Sequence, residues 1–551
     1  MGNSGDNNRK LNNFIVQGGI LAFAGVFVRM LGLFKRIPQA YIIGDIGNSY
    51  YSAAYEIYNL FLTISAYGIP LSVSKLVSAR VRSGQYRNAD KLFKCALGFA
   101  LTVGLISSTA LYVFSDRLAA WMNEPMSALP LKVLTPTLFI VSVMAVFRGY
   151  FQGLGTMIPT AFSQILEQIV LIAVGLSASF ILSKKGLDAG LLRHNENFQY
   201  AYGAAGITLG CAVGALVGLI FMILLYRAYR QKIQKKIYRD PSHVIESTGS
   251  ILKEFVCTII PVLISNTVNN ISNLIDQFIH NKVMTSRGLL DIKTRNWGIY
   301  SGKYSVLINV PIAMASAMSA SSVPTISGLM KRKEYGAVSE KISAVVRITM
   351  FISIPCCAGF LALAPDVMFL LFGDSGSTGA TLVRIGSFGV VLFSFSTLTN
   401  GILQGMSQMR KPIIHGIIGL CVHVPLLVLL LNFTKLNIYA VAFSNNIFSL
   451  VICILNMNSI KRILGYKQEI LKTFVCPIAS ASIMGVLLMI VSRVFMKGGY
   501  RRSLVVVEIL IGIFVYFVSM LAMRAFGERE IKMLPGGTKI YRLLSRMHLI
   551  K

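Results

Sequence analysis

The chain has 551 residues, of which 54% are hydrophobic and 14% charged. Soluble proteins carry about 25% charged residues, so this composition excludes an ordinary soluble domain. Lys and Arg outnumber Asp and Glu by 53 to 22, giving a net charge of +31. Those cations sit in turns between apolar runs, so they fit an orientation signal and an affinity for anionic lipids, not a nucleic-acid interface.

A helical crossing takes about 20 apolar residues, and the sequence offers runs at 14–34, 50–79, 93–114, 130–154, 158–183, 200–226, 251–279, 298–330, 340–370, 380–406, 411–433, 436–457, 471–495 and 501–526. The expected fold is therefore an all-α polytopic membrane protein of about fourteen spans. The first run contains Arg29 and lacks a small-residue cleavage site, so it reads as a retained helix rather than a signal peptide. Gly25, Arg29, Gly32 and Arg36 share one helical face. Its glycines leave room for a bulky ligand or a close helix, and its cations suit phosphate oxygens. The alternative for Lys35 and Arg36 is snorkelling to the membrane interface.

The second run carries Glu56, Asn59, Thr63 and Tyr67 at helical spacing, ahead of Pro70. This stripe could line an aqueous cavity, or Glu56 could be a structural partner for Arg29 or Lys303. The polar gap at 227–250 is rich in Lys and Arg and reads as an amphipathic linker on the membrane surface. In the seventh run Asn266, Asn269, Asn273, Asp276 and His280 fall on one face, widened by Asn270 and Gln277. It is either a hydrogen-bonded seam or a cavity face with Asp276 as a Na⁺ or proton site. Lys303 at the start of the eighth run could join Arg29 around one anion, or sit at the interface. Arg148, Arg347 and Arg384 lie nearer run ends and read as structural.

Three strings recur about 250 residues apart, the pattern of a duplicated transporter core. Tyr51-Ser-Ala-Ala-Tyr55 returns as Tyr300-Ser-Gly-Lys-Tyr304, Tyr86 returns as Tyr335, and Gly149-Tyr-Phe-Gln-Gly153 returns as Gly401-Ile-Leu-Gln-Gly405. The Gly-x-x-Gln-Gly strings each precede a turn and a proline, a structural hairpin signal. The repeat predicts an N-lobe at 1–226, a linker at 227–250, a second lobe at 251–457, and an appended helix pair with a tail at 458–551. Lys and Arg favour the N-terminal side of the membrane roughly two to one, so both termini are expected in the cytoplasm.

None of the eight cysteines forms a Cys-x-x-Cys pair, so no metal centre or disulfide framework is expected. Nucleotide-binding and hydrolase motifs are missing as well, so the energy should come from an ion gradient, the membrane potential or the cargo's own gradient.

The string Arg29-Met-Leu-Gly32-Leu-Phe-Lys35-Arg36 resembles the first-helix pattern of the MurJ-type lipid II flippases, and Asn269-Asn-Ile-Ser-Asn-Leu-Ile-Asp276 is similar to their seventh helix. Within that group the chain looks nearest the stage V sporulation protein B branch of polysaccharide-biosynthesis proteins. The resemblance implies the multidrug/oligosaccharidyl-lipid/polysaccharide exporter fold. It also implies movement of an undecaprenyl-diphosphate-linked sugar between leaflets. Arg29 and Lys35 fall on family cavity cations, and Lys303 lies near a family arginine. A second-helix cavity arginine of the family is replaced around Leu62 and Thr63.

The leading expectation is thus a non-enzymatic, monomeric flippase of the bacterial plasma membrane, serving peptidoglycan, spore-cortex or other envelope synthesis. Arg29, Lys35, Arg36 and Lys303 would hold the diphosphate, and Na⁺ or H⁺ could be the coupling ion. Anionic lipids and the cell-wall synthesis machinery are the expected partners. The alternatives are a cation-coupled multidrug exporter of the same superfamily, and a membrane glycosyltransferase or polymerase using Asp366 and Asp374.

Overall fold

A computed structural model describes residues 3–240, 245–496 and 502–523, with side chains described outside 3–20, 22–23, 26, 261–262, 264–270, 291 and 494–496. The expected tail at 524–551 lies outside the described residues. The described chain is helical throughout, as its composition predicts. Twelve stretches among the described residues are long and apolar enough to cross a membrane.

The first of these stretches, Phe27–Arg82, holds two predicted spans, because helix α1 (Asn3–Leu62) folds back on itself at Gly44. Gly44 has φ 61 and ψ −170, a conformation that side-chain-bearing residues avoid. The arms then meet symmetrically about it. Gln39 donates to Asn48 at 3.0 Å, and Lys35 and Arg36 reach the ring of Tyr51. A π-helical turn at Thr63–Tyr67 follows, then α2 (Ile69–Arg82), which Pro70 helps to start.

Helices α3 (Tyr86–Trp121), α4 (Ala128–Gly153), α5 (Ile158–Leu192) and α6 (Asn197–Tyr238) complete the first run of spans. Small residues let α5 and α6 touch: a Cβ on Gly206 would meet the Ala178 carbonyl carbon at 2.6 Å, and one on Gly210 the Leu171 oxygen at 2.6 Å. Helix α7 (Thr248–Ser286) opens with Ser247, whose hydroxyl accepts from the Ser250 N–H at 3.2 Å. Then come α8 (Leu290–Ile299), α9 (Ser305–Lys331), α10 (Tyr335–Phe372), α11 (Ser377–Gly405), α12 (Arg410–Phe433) and α13 (Ile438–Leu464). The appended pair is α14 (Cys476–Met496) and α15 (Arg502–Ala522). Left-handed glycines at 373 and 465 terminate α10 and α13.

The repeated glycine string does the same work in both copies. In α4, a Cβ on Gly149 would meet the Pro70 oxygen of α2 at 2.8 Å, and one on Gly153 the Val77 Cβ at 2.6 Å. In α11, a Cβ on Gly405 would meet the Ile326 side chain of α9 at 3.1 Å, and one on Gly401 would meet Ser319. It is a close-packing seam as well as a helix stop.

By internal packing the chain divides between Gly302 and Lys303 into two compact units. The repeat predicts a boundary in the linker at 227–250 instead. Sequence duplication reports ancestry, whereas packing reports which helices adhere in this conformation. Helices α7 and α8 adhere to the first unit.

Candidate functional site

In the first unit the α1 hairpin gathers the cations. Lys35 Nζ lies 5.3 Å and Arg36 Cζ 5.1 Å from the Tyr51 ring centroid, a cation–π arrangement worth about 0.5–2 kcal/mol each. Tyr51 in turn stacks on Tyr55 at 5.6 Å, and Tyr55 meets Tyr58 at 5.9 Å. Lys35 is buried, with 6% exposure, so it is held beneath the second arm rather than reaching for water. Arg36 is half-buried and Arg29, two turns earlier, is exposed. A Cβ on Gly25 would meet nothing within 4 Å, so the face beside Arg29 is open, whereas one on Gly32 would meet the Gln168 side chain at 3.5 Å.

Acids stand close to these cations. Glu56, half-buried on the second arm, lies within electrostatic reach of Arg36 and of Asp276 on α7. Asn59 is half-buried, and its carbonyl accepts from the Thr63 hydroxyl at 2.8 Å, so the Thr63 hydroxyl is spent within its own helix. Arg29 lies within reach of Tyr67.

The α7 stripe separates into parts. The side chains of Asn266 and Asn269 lie outside those described. Asn273 is exposed and Asp276 buried. Beyond them the stripe becomes a hydrogen-bonded seam. Ser52 donates to Gln277 Oε1 at 3.3 Å, and Trp297 Nε1 donates to Ser52 at 3.2 Å. The His280 ring lies 5.3 Å from that of Trp297, and Asn281 donates to the Met122 oxygen at 2.9 Å.

Two ionic clasps fix α7 and α8 to the rest of this unit, and sequence reasoning missed both. At the Gly44 end, buried Glu124 faces buried Lys293 at 3.4 Å and accepts from Thr294 at 3.0 Å. Lys293 also donates to the Asn123 oxygen. Burial pushes the Glu124 carboxyl above its usual range, outweighing the opposing pull of Lys293 and Thr294. Gly298 and Gly302 of the same stretch sit against Asp45 and Asn48 of the hairpin, with the Asp45 carbonyl carbon 2.5 Å from a Cβ at 298. At the other end, Arg80 of α2 donates to Glu246 and, at 2.6 Å, to Glu254 of α7. Lys91 adds a bond to the Glu246 oxygen at 2.6 Å. Only opposite charges scattered along the sequence hinted at these pairs.

In the second unit Lys303 is not a bare cation: its Nζ donates to Asp374 Oδ2 at 2.6 Å, both being largely buried. The carboxylates raised as catalytic candidates are engaged, Asp374 by Lys303 and Asp366 by Ser492 at 3.0 Å. Arg148 pairs with Glu167 at 2.7 Å and Arg347 with Glu469. Among the described residues no three His, Cys, Asp or Glu side chains converge to hold a metal ion.

Residues 15–330 match the family described as polysaccharide biosynthesis protein. The lipid II flippase MurJ of Bacillus subtilis is 25% identical over 519 residues, covering 90% of this chain and 93% of that protein. Stage V sporulation protein B of the same organism is 23% identical, covering 94% of this chain and 96% of that protein. Among solved structures, lipid II flippase MurJ in an inward closed conformation superposes with a TM-score of 0.63 at 16% identity, covering 91% of this chain and 98% of that one. An inward-facing multidrug resistance MATE family transporter of the MOP superfamily gives 0.62 at 17% identity, covering 80% and 98%. These two likenesses speak to fold alone. With the matched family spanning more than half its length, the chain is a multi-pass membrane protein belonging to the polysaccharide biosynthesis protein family, with a fold like that of the MurJ and MATE structures.

Proposed function

We propose that this protein is an alternating-access flippase that carries an undecaprenyl-diphosphate-linked oligosaccharide, lipid II or a related envelope precursor, from the inner to the outer leaflet. The observation that supports this most is the basic arm of α1. Arg29 is exposed beside an open glycine face, and Lys35 and Arg36 are held on Tyr51. Cations are costly within a membrane and persist there for a function. Arginine's planar fork matches diphosphate oxygens in pairs. In this reading Arg29 meets the diphosphate first, and Arg36 takes it as the cavity closes. Lys303 reaches the anion only by exchanging its Asp374 partner.

The cargo moves unchanged, so no bond chemistry is required of the protein. The lobes at 1–226 and 251–457 rock about the 227–250 linker, with both termini cytoplasmic. Each cycle opens one clasp of α7 while the other stays shut. Asp276, within reach of Glu56, is the candidate site for a coupling Na⁺ or H⁺.

Glu56 and Asp276 also favour a second reading, a cation-coupled exporter of cationic drugs, since acids suit that cargo. Drug-susceptibility assays on expressing cells separate the two. For the main reading, Arg29→Ala should abolish complementation of a flippase-depleted strain at normal protein level. Full complementation by that variant would overturn it.

A further inference from the structure

Two carboxylates lie buried where the appended hairpin packs on α10 within the second unit, and neither the cargo nor the rocking motion needs them. Asp366 on α10 is 3% exposed and Glu508 on α15 is 2% exposed. They lie within electrostatic reach of one another. Ser492 of α14 donates to Asp366 Oδ2 at 3.0 Å, which ties the third helix into the cluster. Glu508 Oε2 is buried and has no hydrogen-bond partner among the described residues. The site also sits beside a break in α10, where Leu363 leaves helical geometry two residues before Pro365.

Among the described residues the charge around the pair is sparse. Arg384 of α11, itself exposed, acts on Asp366, and Asp366 acts on Glu508. Arg493 of α14 and Arg502 of α15, the cations nearest in sequence, are both exposed. Two ionised carboxylates in so apolar a place would repel strongly, and a buried oxygen without a donor is costly. One proton removes both difficulties. It lowers the pair to a single negative charge, and it turns an orphaned acceptor into a hydroxyl donor. A metal cation fits less well, because no third His, Cys, Asp or Glu joins the two among the described residues.

We propose that Asp366 and Glu508 form a shared-proton site that clasps the α14–α15 hairpin onto α10. With the proton bound, the hairpin is held. When it leaves, the two carboxylates push α15 away from α10, so the clasp loosens as pH rises. Such a pair titrates as a unit rather than as two independent acids. The proposal is independent of what the protein carries.

The test is infrared spectroscopy of the full-length protein in lipid nanodiscs. The carbonyl stretch of protonated carboxylic acids is followed from acidic to alkaline pH in wild type, Glu508→Gln and Asp366→Asn. Wild type should show a band that fades as pH rises and that Glu508→Gln removes. Asp366→Asn should move the fading to lower pH by about one unit or more, because the like charge is gone. A Glu508→Gln spectrum matching wild type at every pH would overturn the proposal. So would an Asp366→Asn midpoint equal to that of wild type. Should Glu508→Gln fail to fold, the Asp366→Asn midpoint decides alone.

Discussion

The two ends of α7 are held to the first unit by different physics. At the Gly44 end the groups are dry: Glu124, Lys293, Gln277, His280 and Trp297 are each no more than 4% exposed. At the Arg80 end the arginine is buried, but its partners Glu246 and Glu254 have side chains 27% and 49% exposed. Glu254 and Gln277 are separated by about 35 Å of helix at 1.5 Å per residue, so the clasps bracket a bilayer's hydrocarbon core. A dry ion pair gains little over apolar packing, yet losing one partner is severe. A half-wet pair contributes little and is screened by salt. The Arg80 end should therefore open more readily, and the Gly44 end should act as the firmer closure.

The largest way to break this contrast is Lys293→Ala. It strands a buried carboxylate, and the expected cost is about 3–5 kcal/mol of thermal or denaturant stability at neutral pH. Replacing both partners, as Glu124→Gln with Lys293→Met, should recover most of that loss. Gly298→Ala is expected to cost about 1–3 kcal/mol, since the new Cβ collides with the hairpin backbone at Asp45. A chemical probe of Gly44-end accessibility should rise with it. Arg80→Ala should cost about 1 kcal/mol or less. Its effect should shrink in high salt, whereas that of Lys293→Ala should not.

Acidity offers a further separation. The folded Glu124 carboxyl titrates above its free value because burial disfavours its charge. Its contribution to closure is therefore full below the usual carboxylate range and is lost as pH rises through the folded value. Cross-linking across the Gly44 end should weaken as pH rises from the acidic range in wild type, and Glu124→Gln should flatten that dependence. The smallest effect is expected at the Lys132–Asp116 pair, whose side chains are 34% and 68% exposed; Lys132→Ala should change stability by about 0–1 kcal/mol.

The helical, many-spanning fold was legible because apolar runs carry their own signal. The cations of α1 were legible because a charge inside such a run stands out. The Gly44 apex was not. Lys35, Arg36 and Asp45 make residues 35–49 look like a loop, and only the fold-back onto Tyr51 shows how helix continues there. The duplication singled out Lys303 against Ala54 but could not show that Asp374, 71 positions away, would meet it. Periodicity put Asn273, Asp276 and His280 on one face. It could not reveal that Trp297 and Ser52 close its far end while Asn273 stays exposed. Hydropathy reads what a helix buries, whereas long-range partners need the packed chain.

Native mass spectrometry of the purified protein would show whether the basic arm of α1 holds a lipid-linked diphosphate. A co-purifying undecaprenyl-diphosphate glycan is expected on wild type and should be lost from the Arg29→Ala, Arg36→Ala double variant. Equal retention of that lipid by the double variant, or its absence from wild type purified out of cells that make it, would rule out diphosphate binding by this arm.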